Sequence, residues 1–99
     1  MQYNFDWDRN KAKLNLAKHN ISFEHATTAF RDPSAITVYD NNHSDIEDRW
    51  VTLGLSTNGI LLVISHTFRD IDKNTVLIRI ISVRKASKKE QEQYAGGVK

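Results

Sequence analysis

Hydrophobic and polar residues change period several times along this chain. Tyr3, Phe5 and Trp7 alternate with Gln2, Asn4 and Asp6, a period of two that predicts a short strand. Asp6 and Asp8 are both placed to cap the helix that follows. Leu14 and Ala17 fall at helical spacing behind Trp7, and Asn20 is placed to stop that helix in the left-handed conformation. Ser22 caps a second short helix, with Phe23, Ala26 and Phe30 on one face. His25 stands where a capping box would want Glu or Gln, and Asp32-Pro33 ends the element. From there the period is two again. Ile36 and Val38 mark a strand, and Asp40–Asp45 reads as a loop. Arg49–Ser56 and Ile60–Phe68 flank Asn58-Gly59, which predicts a hairpin with a two-residue type I′ turn. That turn sets Leu55 against Leu62, Leu53 against Ile64 and Val51 against His66. One face then carries Val51, Leu53, Leu55, Ile60, Leu62 and Ile64, and Val63 is the only aliphatic residue opposite. Asp70–Asn74 reads as a second turn. Thr75–Val83, apolar at nearly every position, reads as a central strand covered on both faces. Ser87-Lys-Lys-Glu90 is a complete capping box for a last helix, which Gly96-Gly97 should end.

The predicted order is β-α-α-β-β-β-β-α. It describes an α+β chain with a small, mostly antiparallel sheet, two N-terminal helices and one C-terminal helix. Its 99 residues fit a single domain. With 39% hydrophobic and 26% charged residues, the chain has the composition of a globular protein rather than a disordered one. The absence of cysteine excludes disulfides, thiolate metal sites and a cysteine nucleophile. The longest apolar run, Ile60–Ile64, is far shorter than a membrane helix. The first residues lack the apolar core of a secretory signal, so a cytoplasmic location is expected. Net charge is +2 and uneven, with an acidic excess before Gly59 and a basic excess after it. That basic half suits an anionic partner such as RNA.

Arg79 interrupts the apolar run Val76–Ile81. A guanidinium there must meet a carboxylate, line an exposed groove or bind an anion, because burying it alone is costly. Glu47 and Glu90 are the internal partners considered. Arg84 and Lys85 end the same strand beside a helix start, a place that suits phosphate. Glu47-Asp48-Arg49-Trp50 joins acid, base and aromatic at a strand entry, where Trp50 either stacks on a base or covers the sheet edge. His43 reads as a surface residue and His25 as a polar residue at a helix start. His19 and His66 are the histidines considered for acid–base work. No metal site is expected: Asp70-Ile-Asp72-Lys-Asn74 begins like a calcium loop, but Thr75 and Ile81 occupy its essential Gly and Glu positions. Phosphate-loop and serine-elbow motifs are also missing.

The whole chain resembles the BrnT family of bacterial type II toxins. The matching residues are Phe5-Asp-Trp-Asp8, Asn15-Leu-Ala-Lys-His19, Ile21-Ser-Phe-Glu24, Ala26, Phe30-Arg-Asp-Pro33, Glu47-Asp-Arg-Trp50, Leu53-Gly54, Leu61–Val63, Ile78–Ala86, Glu90 and Tyr94. Asn20 replaces a usual Gly, Val83 a usual Ala, and the turn Asp70–Asn74 looks long. The resemblance implies a RelE-like fold and a ribonuclease that arrests growth by reducing translation. It also implies a BrnA-like antitoxin partner that carries DNA binding, in a toxin–antitoxin heterotetramer that represses its own operon.

RNA cleavage without a metal or other cofactor needs a base for the 2′-OH, cations for the transition state and an acid for the leaving oxygen. The expected assignments are Arg79 and Arg84 on phosphate, His66 or Glu47 as base, Arg49 as supporting cation and His19 as acid. Lys85, Trp50, Tyr94 and Arg69 are the expected further RNA contacts. The competing reading is a non-catalytic module that binds RNA or protein through its basic half.

Overall fold

The computed structural model describes residues 1–96. Its elements are β1 (Gln2–Trp7), α1 (Arg9–His19), α2 (Phe23–Ala26), a 3-10 turn (Thr27–Arg31), β2 (Ile36–Tyr39), a second 3-10 turn (Asn41–His43), β3 (Trp50–Leu55), β4 (Leu61–Asp72), β5 (Thr75–Lys85) and α3 (Lys88–Gly96). The five strands form one sheet in the order β1-β5-β4-β3-β2. Among the described residues β1 and β5 run parallel and the other pairs are antiparallel. The fold is therefore α+β with a mostly antiparallel sheet and three α-helices.

Local chemistry sets the helix ends. The Asp8 carboxylate accepts from the Asn10 and Lys11 amides at 2.8 and 3.1 Å, so Asp8 alone is the cap, and Asp6 is released for another contact. Asn20 ends α1 at φ 57°, and its N–H donates to the Leu16 carbonyl. Ser22 caps α2 by accepting from the His25 amide at 3.0 Å. Ser87 and Glu90 form the reciprocal capping box of α3, at 3.2 and 2.8 Å. Of the Gly96-Gly97 stop, Gly97 lies outside the described residues.

The core lies between one sheet face and the N-terminal helices. Phe23, Ala26 and Ala29 pack there against Leu62, Ile64, Ile78, Ile80 and Val83, with Phe5, Trp7 and Phe30 at the margin. α1 does not bury the residues its spacing suggested: Leu14 is 71% exposed and Ala17 is also exposed. Its inward residue is Asn15, whose side chain accepts from the Val83 amide at 3.1 Å and donates to the Ile21 carbonyl at 3.3 Å. The helix is thus fastened to β5 through a buried amide more than through aliphatic packing. Gly54 lets the 3-10 turn approach β3, because a Cβ there would stand 2.7 Å from the Ala29 carbonyl oxygen.

The β3–β4 hairpin is one residue out of the expected register. Leu55 pairs with Leu61, Leu53 with Val63 and Val51 with Ser65. A type I′ turn needs positive φ at two residues, whereas only Gly59 adopts it, at 80°. Instead the Ser56 N–H donates to the Ile60 carbonyl at 2.9 Å, closing a three-residue loop. Shifting register by one separates the two halves of the expected apolar face. Leu62, Ile64 and His66 face the helices with Thr52 and Gly54. Val51, Leu53, Leu55, Leu61 and Val63 occupy the other face, where α3 packs against β3 and Leu53 and Val63 are buried, and which is open towards the Arg79 end.

Two more expectations change. β4 runs through Asp70 to Asp72, and only Lys73-Asn74 turns the chain, with the Asn74 amide donating to the Asp72 carboxylate at 2.8 Å. β5 is interior to the sheet but covered mainly on its Val76, Ile78, Ile80 and Val83 side; Arg79, Ser82 and Arg84 are exposed.

Candidate functional site

Sheet register builds a groove on the open face. Thr67 pairs with Arg79 and Arg69 with Leu77 on β4 and β5. Paired residues point to the same side of a sheet, and diagonal neighbours lie within reach of long side chains. The Arg69 and Arg79 side chains therefore project to one side. β1 adds Asp6, which is in register with Arg79. The segment entering β3 supplies Glu47 and Asp48. These residues, with Phe68 and Leu77, line a groove of about 360 Å³.

Arg79 is neither buried nor paired with Glu47 or Glu90. Its Nη1 lies 3.2 Å from Asp6 Oδ1, and both side chains are about half exposed. The guanidinium thus meets a carboxylate and lines an exposed groove. Glu47 is half exposed and approaches a second cation, with Oε1 3.8 Å from Arg49 Nε. That Arg49 nitrogen is shielded from solvent without a hydrogen-bond partner among the described residues. Asp48 accepts the Tyr39 hydroxyl at 2.8 Å. The groove offers two arginines for an anion, with carboxylates nearby able to accept a proton.

Other expected site residues stand elsewhere. Arg84 holds Glu90 through both terminal nitrogens, at 2.7 and 2.8 Å. Hydrogen bonding to Arg84 holds the Glu90 carboxyl down to about 2, and the same contact raises Arg84. Glu90 also completes the α3 cap, so Arg84 belongs to a strand–helix clamp and does not line the groove. Lys85 pairs with Leu62 at the far end of the sheet. Tyr94 donates its hydroxyl to Asp32, which also accepts from the Leu55 and Ser34 amides. That contact raises the Tyr94 phenol and fastens α3 to the loop before β2. Trp50 packs edge-on against Tyr39 and Phe68, with centroids 5.2 and 5.8 Å away, and so covers the sheet margin. His19 ends α1, on the covered side of the sheet.

His66 is a buried structural residue. It is 0% exposed on the helix-facing side, between Phe30 and Phe68. Its Nε2 lies 2.7 Å from the Thr52 hydroxyl, which in turn lies 2.8 Å from the Thr37 hydroxyl. Its Nδ1, 3.3 Å from the Thr67 carbonyl, carries the proton. Burial pushes the imidazole down to about 4, so it is neutral at pH 7 and faces away from the groove.

The expected residues brought together are therefore Glu47, Arg69 and Arg79, with Arg49 behind Glu47. Asp6, Asp48 and Thr67 also line the groove and are not among the expected site residues. Asp6 had a visible signal, since alternation puts it on the same face as Gln2 and Asn4, opposite Phe5 and Trp7. Its partner depended on a parallel pairing with a strand more than seventy residues away. Among the described residues no group of three or more His, Cys, Asp or Glu could hold a metal ion, and no helix is long and apolar enough to cross a membrane.

A family model described as "Ribonuclease toxin, BrnT, of type II toxin-antitoxin system" matches residues 7–90. The fold is similar to the 1.1 Å crystal structure of the Brucella abortus ribonuclease toxin BrnT, with 23% identity, coverage of 89% of this chain and 100% of that chain, and a TM-score of 0.58. No curated protein matches the sequence.

Proposed function

The chain belongs to the BrnT family of ribonuclease toxins of type II toxin–antitoxin systems, and from that premise we propose that it is a metal-independent endoribonuclease acting through the Arg79 groove. The observation that carries this reading is the convergence of Arg69 and Arg79 on a face that also holds Glu47. One RNA phosphate sits between the two arginines. The Glu47 carboxylate takes the proton of the 2′-OH, the 2′ oxygen forms a bond to phosphorus, and the bond from phosphorus to the 5′ oxygen breaks. Arg79 stabilises the charge on the phosphorane-like transition state. Arg69 supports the departing 5′ oxygen, which takes its proton from water. The products are a 2′,3′-cyclic phosphate and a 5′-hydroxyl.

In this reading the 99 residues act as one toxin domain in the cytoplasm and inhibit translation by cutting RNA. A BrnA-like antitoxin neutralises the toxin in a heterotetramer that binds DNA through the antitoxin. The RelE-like description is part of the same proposal. Support comes from the family, from the two cations in the groove and from the exposed Glu47 carboxylate. Glu47 is preferred to His66 as base because it is solvent-accessible and on the groove side.

Induced expression of the wild-type chain and of Arg79→Ala, with growth and amino-acid incorporation followed in parallel, tests the proposal. The wild type should stop both, and the soluble Arg79→Ala protein should stop neither. Equal arrest by the two proteins would refute the role of the groove. Absence of arrest by the wild type would favour the non-catalytic module.

A further inference from the structure

We propose that Asp6 is a positioning residue for Arg79, holding its guanidinium in the groove by one contact while leaving donors free for a phosphate. The inference rests on the ribonuclease reading of the groove and adds a residue to it.

Two aspartates flank Trp7. Asp8 is committed to the helix, since Oδ1 accepts two backbone amides of α1. Among the described residues the Asp6 carboxylate makes no side-chain hydrogen bond, and its one charged partner is Arg79. Register makes this contact, because Asp6 and Arg79 are direct partners in the parallel β1–β5 pair. Flanking residues fix the orientation. Phe5 and Trp7 turn towards the core, as do Ile78 and Ile80, leaving Asp6 and Arg79 together on the open side.

The pair is exposed, with about half of each side chain open to solvent. Such a pair adds little to stability, so the fold does not require it. It does restrict Arg79, a long side chain that would otherwise sample many rotamers. The closest approach is from one terminal nitrogen to one carboxylate oxygen, and among the described residues the guanidinium makes no hydrogen bond. The Arg84–Glu90 pair is different, because there both terminal nitrogens are occupied. A guanidinium held at one corner retains unused donors, and a cation already oriented loses less freedom on meeting the transition state.

The experiment compares the wild type with Asp6→Ala and Asp6→Asn, using a defined RNA. Cleavage is resolved into kcat and KM, and the Arg79 Nε–Hε signal is followed by NMR in the same proteins. Ala removes the acceptor, whereas Asn keeps an acceptor oxygen without the charge. For Asp6→Ala, kcat should fall by about tenfold or more, KM should stay level or fall because a negative charge has left the groove, and the Arg79 signal should become motionally averaged. Asp6→Asn should recover part of kcat. Full kcat in Asp6→Ala, a loss explained by unfolding, or no recovery in Asp6→Asn would overturn the proposal. A wild-type protein that leaves RNA intact would refute the ribonuclease reading instead. The Arg79 signal would then decide the positioning claim: averaging in Asp6→Ala supports it, and an unchanged signal overturns it.

Discussion

Acidification from neutral pH should destabilise this protein, and His66 is the reason. In the folded chain the imidazole is sealed between Phe30 and Phe68 and pushed from 6.5 to about 4 by burial. In the unfolded chain it titrates at its ordinary value. The unfolded state therefore binds the extra proton first as pH falls, so stability is lost through the window from 6.5 down to about 4. A gap of that size corresponds to about 3 kcal/mol in full. Roughly 2 kcal/mol of it should be gone by about pH 4.5, a large fraction of a small domain's stability. Glu90 acts in the same direction but later. Its carboxyl is held down to about 2 by Arg84, so its contribution is present above the ordinary value of 4.5 and is lost as pH falls towards 2. The two windows are separable. Urea unfolding at several pH values between 7 and 4.5 should show the loss in the wild type. His66→Gln, which keeps an amide to meet Thr52 but cannot titrate, should be less stable at pH 7 and nearly flat across that range. Parallel pH dependence in both proteins would refute the reasoning, as would an NMR titration placing the His66 imidazole near 6.5.

Three further outcomes follow from the same structure. Gly54→Ala should lower stability by about 1–3 kcal/mol, read from the urea midpoint, because the added carbon meets the backbone of Ala29. Asn15→Leu should cost about 2–4 kcal/mol, since it leaves the Val83 amide and the Ile21 carbonyl without their buried partner; a neutral result would show that water or repacking satisfies both. Arg84→Ala should lower the melting temperature, and loosen α3 in hydrogen exchange, while leaving RNA cleavage within about threefold, because Arg84 serves the Glu90 clamp. Loss of cleavage without loss of stability in Arg84→Ala would return that arginine to the catalytic set.

What could be read in the sequence was mostly what neighbouring residues decide among themselves. The Asp8, Ser22 and Ser87 caps, the left-handed stop at Asn20 and the end at Asp32-Pro33 depend on side chains within one turn of the backbone they serve. Asn58-Gly59 marks the hairpin without fixing its register. Asn58-Gly59 suits two different loops, and the choice fell to the Ser56–Ile60 closure, which periodicity does not report. Hydrophobic periodicity mis-faces α1 because the helix's inward contact is the amide of Asn15, a polar residue that such a pattern places outward. The candidate site was half visible. Arg79 stands out as a charge in an apolar run, and Glu47 as an acid at a strand entry. Their neighbours Asp6 and Thr67 come from strand pairings that no local signal encodes. By sequence His66 is one of two candidate acid–base histidines, at the end of an apolar face; the shifted register turns it into the core.

The central claim is that the Arg79 groove cuts RNA by attack of its own 2′-OH. The direct measurement is to incubate the purified, partner-free chain with a defined RNA in excess EDTA, and to map both ends of every fragment. The expected products carry 2′,3′-cyclic phosphate and 5′-hydroxyl ends, with the rate falling by about a hundredfold or more in a folded Arg79→Ala protein. Ends bearing a 5′-phosphate, or cleavage that persists in Arg79→Ala, would contradict it.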